Sequence, residues 1–298
     1  MLHAHKGPAT SLSILQVNVG RGAPPHELAL SIANDYFIDF ILIQEPYVFT
    51  DHTQQITKVH PMYETFTPLD DWTDRPRVMS YVQKGTGIWA NQIRPIMTHD
   101  AVFLQLQNRN SSALTIANIY NAPPGSAGAG DIISMLISLL QSILKNAFLA
   151  GDFNVHHHRW DPQHPQPSVT AGPLVDWLDS NTFAYTSEVG VSTHIRGNVL
   201  DLAFVAGNVT ASMTVAEHLD VTSDHTLLLL YINWNIQTVK AACRLRLNTL
   251  DQELFTTLLK DNCSLLVQLT DSSSTHELDL AATKLTEAIS AAYKGSAK

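Results

Sequence analysis

Short apolar runs of strand length, each ended by a polar residue, constrain the fold of this chain more than any other feature. The first two runs are Ser13–Asn18 and Ile38–Gln44, and a helix-like segment, His26–Phe37, lies between them. Pro24 and Pro25 precede that segment and suit the first turn of a helix. Because strand, helix and strand follow one another, we expect a crossover that joins two parallel strands buried on both faces.

Further runs of the same kind follow, with only a few helix-like segments between them. We expect Leu28, Ile32 and Tyr36 to share one face of the first helix. Two more helices are predicted at Asp131–Leu144 and Leu174–Asn181. Many strands combined with few helices favour an α/β or α+β sandwich. The other predicted strands are Val78–Val82, Gly87–Ala90, Val102–Leu106, Leu114–Ile119, Ala147–Ala150, Val199–Val205 and Thr226–Ile232.

Composition restricts the class of protein. Of the 298 residues, 45% are hydrophobic and 15% charged, as in ordinary globular chains. The longest apolar run, Ile132–Leu144, is too short and too rich in serine to span a bilayer, so we expect no membrane partner. Cys243 and Cys263 provide neither a disulfide framework nor a four-thiolate zinc site, and a reducing, intracellular location is expected.

The charge and the sequence pattern divide the chain near Trp234. The net charge is −9, and residues 236–298 hold seven basic and seven acidic side chains, so the excess lies in residues 1–235. Capping-box patterns at Thr249 and Ser274 predict two helices in the tail. We therefore expect a domain at 1–235 that binds polyanions weakly and in a salt-sensitive way, followed by a helical extension at 236–298.

The polar residues at the ends of the runs suit phosphodiester hydrolysis. A hard divalent cation such as Mg²⁺, with Mn²⁺ as a substitute, prefers oxygen ligands, usually one or two carboxylates. Glu45 and Asp224 would supply the carboxylates and Asn18 a neutral oxygen. The cation would polarise the phosphate.

The remaining polar residues suit proton transfer and phosphate binding. Asp152 or His225 would accept the proton of the attacking water. Asp201 lies inside an apolar run, where a carboxylate is costly to bury without a partner, and it is the candidate to hold the His225 ring. Asn154 and Tyr120 would donate hydrogen bonds to phosphate oxygens.

This ordered series resembles the endonuclease/exonuclease/phosphatase superfamily, which includes DNase I. The resemblance runs from about Leu12 to Trp234. It implies an α/β fold, a four-layer α/β/β/α sandwich of two mixed β-sheets flanked by helices. The motifs that carry it are Asn18, Gln44-Glu45-Pro46, Tyr120, Gly151-Asp152-Phe153-Asn154, Leu200-Asp201-Leu202 and Ser223-Asp224-His225.

Within the superfamily, the stretch Gly151–Trp160 is similar to the endonucleases of LINE-type, non-LTR retrotransposons. Thr193 matches a threonine that this branch places near the bound phosphate, and Asn198 stands where a serine is usual. Both are therefore expected to bind substrate. Arg159 and Arg196 are candidates to face DNA, because arginine pairs well with phosphates.

Histidines at positions 156, 157, 158 and 164 raise the alternative of a zinc site. Three consecutive histidines cannot all face one tetrahedral ion. A structural role, in which His156 or His157 and Trp160 brace the loop below Asn154, fits better.

The resemblance implies a Mg²⁺-dependent endonuclease that nicks DNA and leaves a 3′-hydroxyl for target-primed reverse transcription. Residues 236–298 would lead towards a reverse transcriptase domain, and element RNA would be a further partner in the nucleus. The alternatives are a phosphoesterase of the same fold that acts on inositol phosphates or lipids, and an inactive remnant of a retrotransposon.

Overall fold

A computed structural model describes residues 11–51, 54–70, 72, 74–108, 111–139, 143–164, 166–234, 251–263 and 275–296. The chain forms two compact units, Met1–Lys240 and Ala241–Lys298. The strands are β1 (Ser11–Asn18), β2 (Phe40–Gln44), β3 (Val48–Asp51), β4 (Gln54–Thr57), β5 (Tyr63–Phe66), β6 (Val78–Gln83), β7 (Trp89–Ile93), β8 (Ala101–Asn108), β9 (Ser111–Tyr120), β10 (Ala147–Asp152), β11 (Ala184–Tyr185), β12 (Asp201–Ala206), β13 (Thr210–Val215) and β14 (Leu228–Asn233). The helices are α1 (Ala23–Asp35), α2 (Asp131–Ile137), α3 (Ala171–Ser180), α4 (Gln252–Cys263) and α5 (Thr275–Ser296).

Two six-stranded mixed sheets form the first unit. The first sheet has the strand order β13-β14-β1-β2-β6-β5, and the second has the order β11-β12-β10-β9-β8-β7. As the crossover pattern predicted, β1 and β2 are parallel. Strands β9 and β10 are parallel too, whereas the other pairs in the two sheets are antiparallel. Strands β3 and β4 form a separate hairpin.

The apolar core arranges these elements in four layers. Ile14 and Leu42 of the first sheet belong to the same buried cluster as Ile116 and Phe148 of the second. Burying such a side chain fully contributes about 1.5–3 kcal/mol. A second cluster joins α1 to the first sheet, and a third joins α2 and α3 to the second sheet. The predicted α/β/β/α sandwich is therefore confirmed.

Helix α1 meets the sheet with only one residue of the face that the sequence predicted, Ile32, which is partly buried against the core. Leu28 and Tyr36 are exposed, whereas Ala29, Leu30 and Ala33 are buried against the first sheet. A second difference concerns α2, which ends at Ile137 rather than near Leu144, because its last turn tightens into i to i−3 hydrogen bonds at residues 138 and 139.

The second unit contains the two helices that the tail pattern predicted. Helices α4 and α5 pack together, and the backbone N–H of Asp251 donates to the carbonyl of Ser296. Ala288, Ala292 and Tyr293 are buried in α5. The capping residues Thr249 and Ser274 lie outside the described residues. Across the part of the chain that is described, none of the helices combines the length and apolarity that a membrane crossing requires.

Candidate active site

The predicted site residues meet because strands from both sheets end at one place. In the first sheet Asn18 is the register partner of Gln44, directly before Glu45. In the second sheet Asp152 is paired with Tyr120 on one side and with Asp201 on the other. The two groups touch where Asn18 Nδ2 donates to Asp152 Oδ2 over 2.9 Å, in a contact that is buried.

The Asp152 carboxylate lies in a cage of amide donors. Besides Asn18, it accepts from the Asn154 side chain at 3.0 Å and from the Asn154 backbone N–H at 3.1 Å. Burial raises the pKa of Asp152 to about 7, the charge of Asp201 adds to this rise, and the nearby imidazole opposes it. Only glycine fits at position 151, directly before Asp152, because a Cβ there would collide with the backbone carbonyl of Ile119.

His225 is fixed between two buried carboxylates. Its Nδ1 lies 2.7 Å from Asp201 Oδ2, so the proposed partner of the ring is in place. Its Nε2 lies 3.9 Å from Asp152 Oδ2, which is too long for a direct hydrogen bond. Burial lowers the pKa of His225, but the charges of Asp201, Asp152 and Asp224 outweigh this effect and raise the pKa to about 10.

Glu45 occupies a strained turn directly after β2. Its φ of 46° lies in the left-handed region, which costs a non-glycine residue energy unless its surroundings hold it there. The backbone N–H of Glu45 donates to the carbonyl of Arg77, and its carbonyl accepts from Arg21. The side chain is exposed by only 19% and pairs with the Arg21 guanidinium at 2.8 Å.

A buried histidine fixes the chain just beyond Glu45. The backbone N–H of Tyr47 donates to His26 Nδ1 over 3.2 Å, and His26 Nε2 lies 2.8 Å from the hydroxyl of Tyr81. Tyr81 in turn donates to the carbonyl of Lys58. Burial, with a smaller contribution from the charge of Lys58, lowers the pKa of His26 to about 3, so the ring is neutral. Helix α1 thereby anchors the turn that carries Glu45.

The donor set of Glu45, Asp224 and Asn18 fits a hard cation. Glu45 and Asp224 supply carboxylate oxygens, and the Asp224 side chain is 54% exposed. The Asn18 amide oxygen accepts one hydrogen bond, from the backbone N–H of Gly20, and keeps a second lone pair for a ligand. Ser223, which directly precedes Asp224, holds the two segments together by donating to the Asn18 carbonyl over 2.6 Å.

Tyr120 and Asn154 line the same place. Tyr120 is nearly buried, and the guanidinium of Arg77 lies 5.6 Å from the centre of its ring. Burial and the charges of Glu45 and Asp152 raise the pKa of Tyr120, so its hydroxyl stays a donor. Asn154 has a φ of 46° and also donates to the carbonyl of Asn121 over 2.8 Å. Both residues lie next to Asp152. Their contacts with phosphate remain predictions.

The four predicted substrate-binding residues differ in burial and in the partners they contact. Thr193 is fully buried, and its hydroxyl oxygen accepts from the backbone N–H groups of Leu200 and Asp201, so it organises the start of β12. Arg159 pairs with Asp179 of α3 at 2.6 Å, whereas Arg196 is exposed. Asn198 is half-buried, and its carbonyl accepts from the backbone of Thr193. Their contacts with substrate remain predictions.

A cationic cleft of about 330 Å³ adjoins Glu45. Arg21, Arg75, Arg77 and His99 line it together with Glu45 and Asp74. The sequence showed Arg75 and Arg77 as neighbours in the chain, but it gave no sign that Arg21 joins them. An acidic protein therefore places several cations beside its predicted metal ligands.

The sequence reasoning missed His194 as a member of the site. In the described part of the chain, the side chains of His194, Asp224 and His225 form a group whose potential ligand atoms lie within 4.8 Å of one another. The rings of His194 and His225 meet edge to face with centres 4.8 Å apart. A histidine in a polar loop carries no pattern that would have marked it.

A buried polar bridge between the sheets was also missed. Gln44 Nε2 donates to Asn118 Oδ1 over 2.6 Å, and Asn118 Nδ2 donates to the carbonyls of Ile43 and Met79. The signal was present, because Gln44 and Asn118 are amides within otherwise apolar strands.

The histidine-rich stretch after Asn154 has the contacts of a structural brace. Trp160 is fully buried and donates to the carbonyl of Val155 over 2.9 Å. His156 lies 3.1 Å from Asp161 Oδ2 and stacks on His164. These contacts engage the rings with protein partners and support the structural role over the zinc alternative.

Known proteins share the fold of this chain. Residues 114–229 match the family described as endonuclease-reverse transcriptase. No curated protein sequence matches the chain. Among solved structures, the endonuclease domain of TRAS1, a telomere-specific non-LTR retrotransposon, is similar with a TM-score of 0.59 at 19% identity, covering 77% of this chain and 100% of that one.

Two further structures share the fold at low identity. The catalytic domain of APE2 from Xenopus laevis has a TM-score of 0.50 at 15% identity, over 77% of this chain and 95% of that chain. The 3′ phosphatase NExo from Neisseria, bound to a product DNA hairpin, has a TM-score of 0.51 at 11% identity, over 74% and 98%. With the family match, these likenesses confirm the predicted resemblance and the DNase I-like fold.

Proposed function

We propose that this chain, which has the endonuclease/exonuclease/phosphatase fold, is a Mg²⁺-dependent endonuclease that nicks DNA and leaves a 3′-hydroxyl for target-primed reverse transcription. The observation that carries the proposal is the continuous path of contacts from Asn18 through Asp152 and His225 to Asp201, beside Glu45 and Asp224. These residues provide the carboxylates, the imidazole and the amide that phosphodiester hydrolysis requires.

Glu45, Asp224 and Asn18 would hold the cation, Mg²⁺ or Mn²⁺. When bound, it would polarise the phosphate and stabilise the charge that develops on it. The oxygen-only donor set and the free lone pair of Asn18 support this assignment. The Arg21 guanidinium pairs with Glu45 and balances its charge.

Asp152 and His225 form the proton-transfer pair. A water that contacts both groups would lie beside the 3.9 Å contact between Asp152 Oδ2 and His225 Nε2. Asp152 could accept the proton of that water, whereas His225, whose pKa of about 10 keeps the ring protonated at neutral pH, could supply a proton. Asp201 holds the ring of His225 in one orientation through the contact at Nδ1. Asn154 and Tyr120 offer donors to phosphate oxygens beside this contact.

The cationic cleft beside Glu45 favours an extended polyanion as the substrate. Arg21, Arg75 and Arg77 would contact the sugar–phosphate backbone next to the scissile phosphate, as basic side chains do in nucleic-acid complexes. DNA is the proposed substrate, and a reverse transcriptase domain with element RNA would use the nick in the nucleus. The family description and the TRAS1 endonuclease support this context.

A plasmid-nicking assay tests the proposal. Wild-type protein should convert supercoiled plasmid to the open circle with Mg²⁺ or Mn²⁺ and should stop when excess EDTA is added. A DNA polymerase should extend the nick directly if it carries a 3′-hydroxyl. Release of inorganic phosphate from inositol phosphates or cleavage of a phospholipid, without plasmid nicking, would establish the alternative phosphoesterase. Failure on all of these substrates would identify an inactive remnant.

A further inference from the structure

His194 is held in one orientation next to the site, but it has no role in the proposed reaction. The residue is 91% buried, with 9% of its surface exposed, and lies in the short turn between Thr193 and Asn198. Its backbone pairs with that of His225, the N–H of Thr226 donates to the Thr193 carbonyl, and the N–H of Ile195 donates to the Asp224 carbonyl. The turn is thus tied to the segment that carries Asp224 and His225.

The hydrogen bonds of His194 determine which ring nitrogen carries the proton. The backbone N–H of Arg196 donates to His194 Nδ1 over 3.1 Å. A ring nitrogen that accepts a hydrogen bond carries no proton itself, so the neutral ring has its hydrogen on Nε2. That nitrogen lies 3.5 Å from Asp224 Oδ2. The hydrogen therefore lies on the ring nitrogen that approaches the Asp224 carboxylate.

The same assignment excludes His194 as a metal ligand. A histidine that binds a metal through Nε2 keeps a hydrogen on Nδ1 and donates it to an acceptor. Here Nδ1 faces an N–H group instead, so ligation through Nε2 would set two donors against each other. Although His194 belongs to a group of potential ligands by distance, its chemistry is that of a donor to Asp224.

We propose that His194 is a positioning residue whose Nε2–H holds the Asp224 carboxylate in place for the cation. The inference rests on the proposed function in one respect, namely that Asp224 is a metal ligand. The Asp224 side chain is more than half exposed, so it loses conformational freedom when it binds an ion. A donor fixed by the backbone removes part of that freedom in advance, and partners of this kind typically change metal affinity about 10–100-fold.

Two substitutions separate the donor from the bulk of the ring. Phenylalanine at position 194 keeps a ring against His225 but has no donor. Glutamine gives up the ring contact but can place an amide N–H near the position of Nε2. If His194 acts only through packing against His225, the phenylalanine variant should behave like wild type and the glutamine variant should not.

The readout is Mn²⁺ binding to the full chain, followed by the EPR signal of the free ion, with thermal melting to verify folding. We expect His194→Phe to weaken Mn²⁺ binding about tenfold and His194→Gln to stay within about threefold of wild type. The Mg²⁺ concentration for half-maximal nicking should rise in parallel. Glu45→Ala serves as the reference for a lost ligand.

The outcomes distinguish this inference from the proposed function. Equal Mn²⁺ affinity in wild type and His194→Phe, or equal weakening in both variants, overturns the role of the donor. Absence of Mn²⁺ binding to wild type overturns the inference together with the metal assignment. The expected pattern of affinities in a protein that nicks no DNA supports the role of His194 and overturns only the choice of substrate.

Discussion

Asp201 Oδ2 lies 2.7 Å from His225 Nδ1, and both side chains are almost completely buried. The two residues come from different sheets: Asp201 begins β12 in the second sheet, and His225 precedes β14 in the first. The contact therefore depends on correct packing of the two sheets, and it fixes the ring nitrogen that faces Asp152.

Asp201→Asn should keep the shape of this contact and remove its charge. Burial lowers the pKa of His225, and Asp201 is the largest of the opposing influences that raise it. Without that charge the pKa of His225 should fall, so the ring loses its proton at a lower pH than in wild type. Histidine NMR signals of the metal-free protein, followed against pH, measure this shift. An unchanged titration would contradict the assigned contact.

The same variant should nick DNA at least about 100-fold more slowly, since positioned acid–base groups contribute about 10²–10⁴-fold. Asp179→Asn is a matched control, because Asp179 is an exposed carboxylate that pairs with Arg159. It should retain the wild-type rate. A similar loss in both variants would point to a general effect on the fold.

Glu45→Ala should lower the nicking rate by at least about 100-fold, because a bound cation supplies several kcal/mol of transition-state stabilisation. Glu64→Ala, which removes an exposed carboxylate from β5, should nick like wild type. Both rates are measured on supercoiled plasmid at saturating Mg²⁺, with melting curves to verify folding. A folded Glu45→Ala protein with wild-type activity would rule out Glu45 as a ligand.

Arg75→Gln should reduce the salt dependence of DNA binding. Each lost phosphate contact lowers the slope of log K against log salt by about one, and Arg75 lines the cleft beside Glu45. Fluorescence anisotropy of a labelled duplex at several salt concentrations measures the slope. Arg94→Gln is the control, because the Arg94 guanidinium is engaged by Asp70. Equal slopes in the two variants would remove the cleft from the DNA-binding surface.

The neutral, buried His26 should make the fold sensitive to acid. Its pKa is about 3 in the folded protein, below the ordinary value of 6.5, so the unfolded chain binds the extra proton between these two pH values. The free energy of unfolding should therefore fall with decreasing pH in this window, by up to about 1.4 kcal/mol per pH unit. His26→Gln, measured by urea denaturation, should flatten this decline. Parallel curves for both proteins would show that His26 takes no part.

A chain of residues 1–235 should fold and nick plasmid at a rate comparable to the full chain. The predicted site residues end at His225, and β14 ends at Asn233. A chain that stops at Thr226 is the control: it lacks β14, the strand between β1 and β13, and should not fold. A folded but inactive 1–235 protein would show that residues beyond it contribute to catalysis.

The sequence predicted the site best where a residue conflicted with its surroundings. Asp201 in an apolar run required a partner, and the structure supplies His225. The strand end that carries Glu45 followed from the crossover pattern, because parallel strands end at one edge of a sheet. Asp152 was placed by the apolar run that precedes it. These inferences needed only hydrophobic pattern and the cost of burying charge.

Other features depended on contacts between distant segments. The left-handed backbone of Glu45 leaves no trace in residue type, since its N–H is held by the carbonyl of Arg77, which directly precedes β6. The buried face of α1 was only partly predicted, since Ile32 packs against the core but Leu28 and Tyr36 are exposed. His194 acts through its tautomer, which only the position of the Arg196 N–H reveals.

The bridge between Gln44 and Asn118 has a consequence for how the two halves of the sandwich are aligned. Apolar contacts have little directional preference, whereas the 2.6 Å amide contact between Gln44 and Asn118 constrains both a distance and an angle. Glu45 follows Gln44, and Tyr120 lies two residues beyond Asn118. The bridge therefore fixes the position of one sheet relative to the other. Substitutions of Gln44 or Asn118 should change the distances between site residues of the two sheets, although neither residue takes part in the reaction.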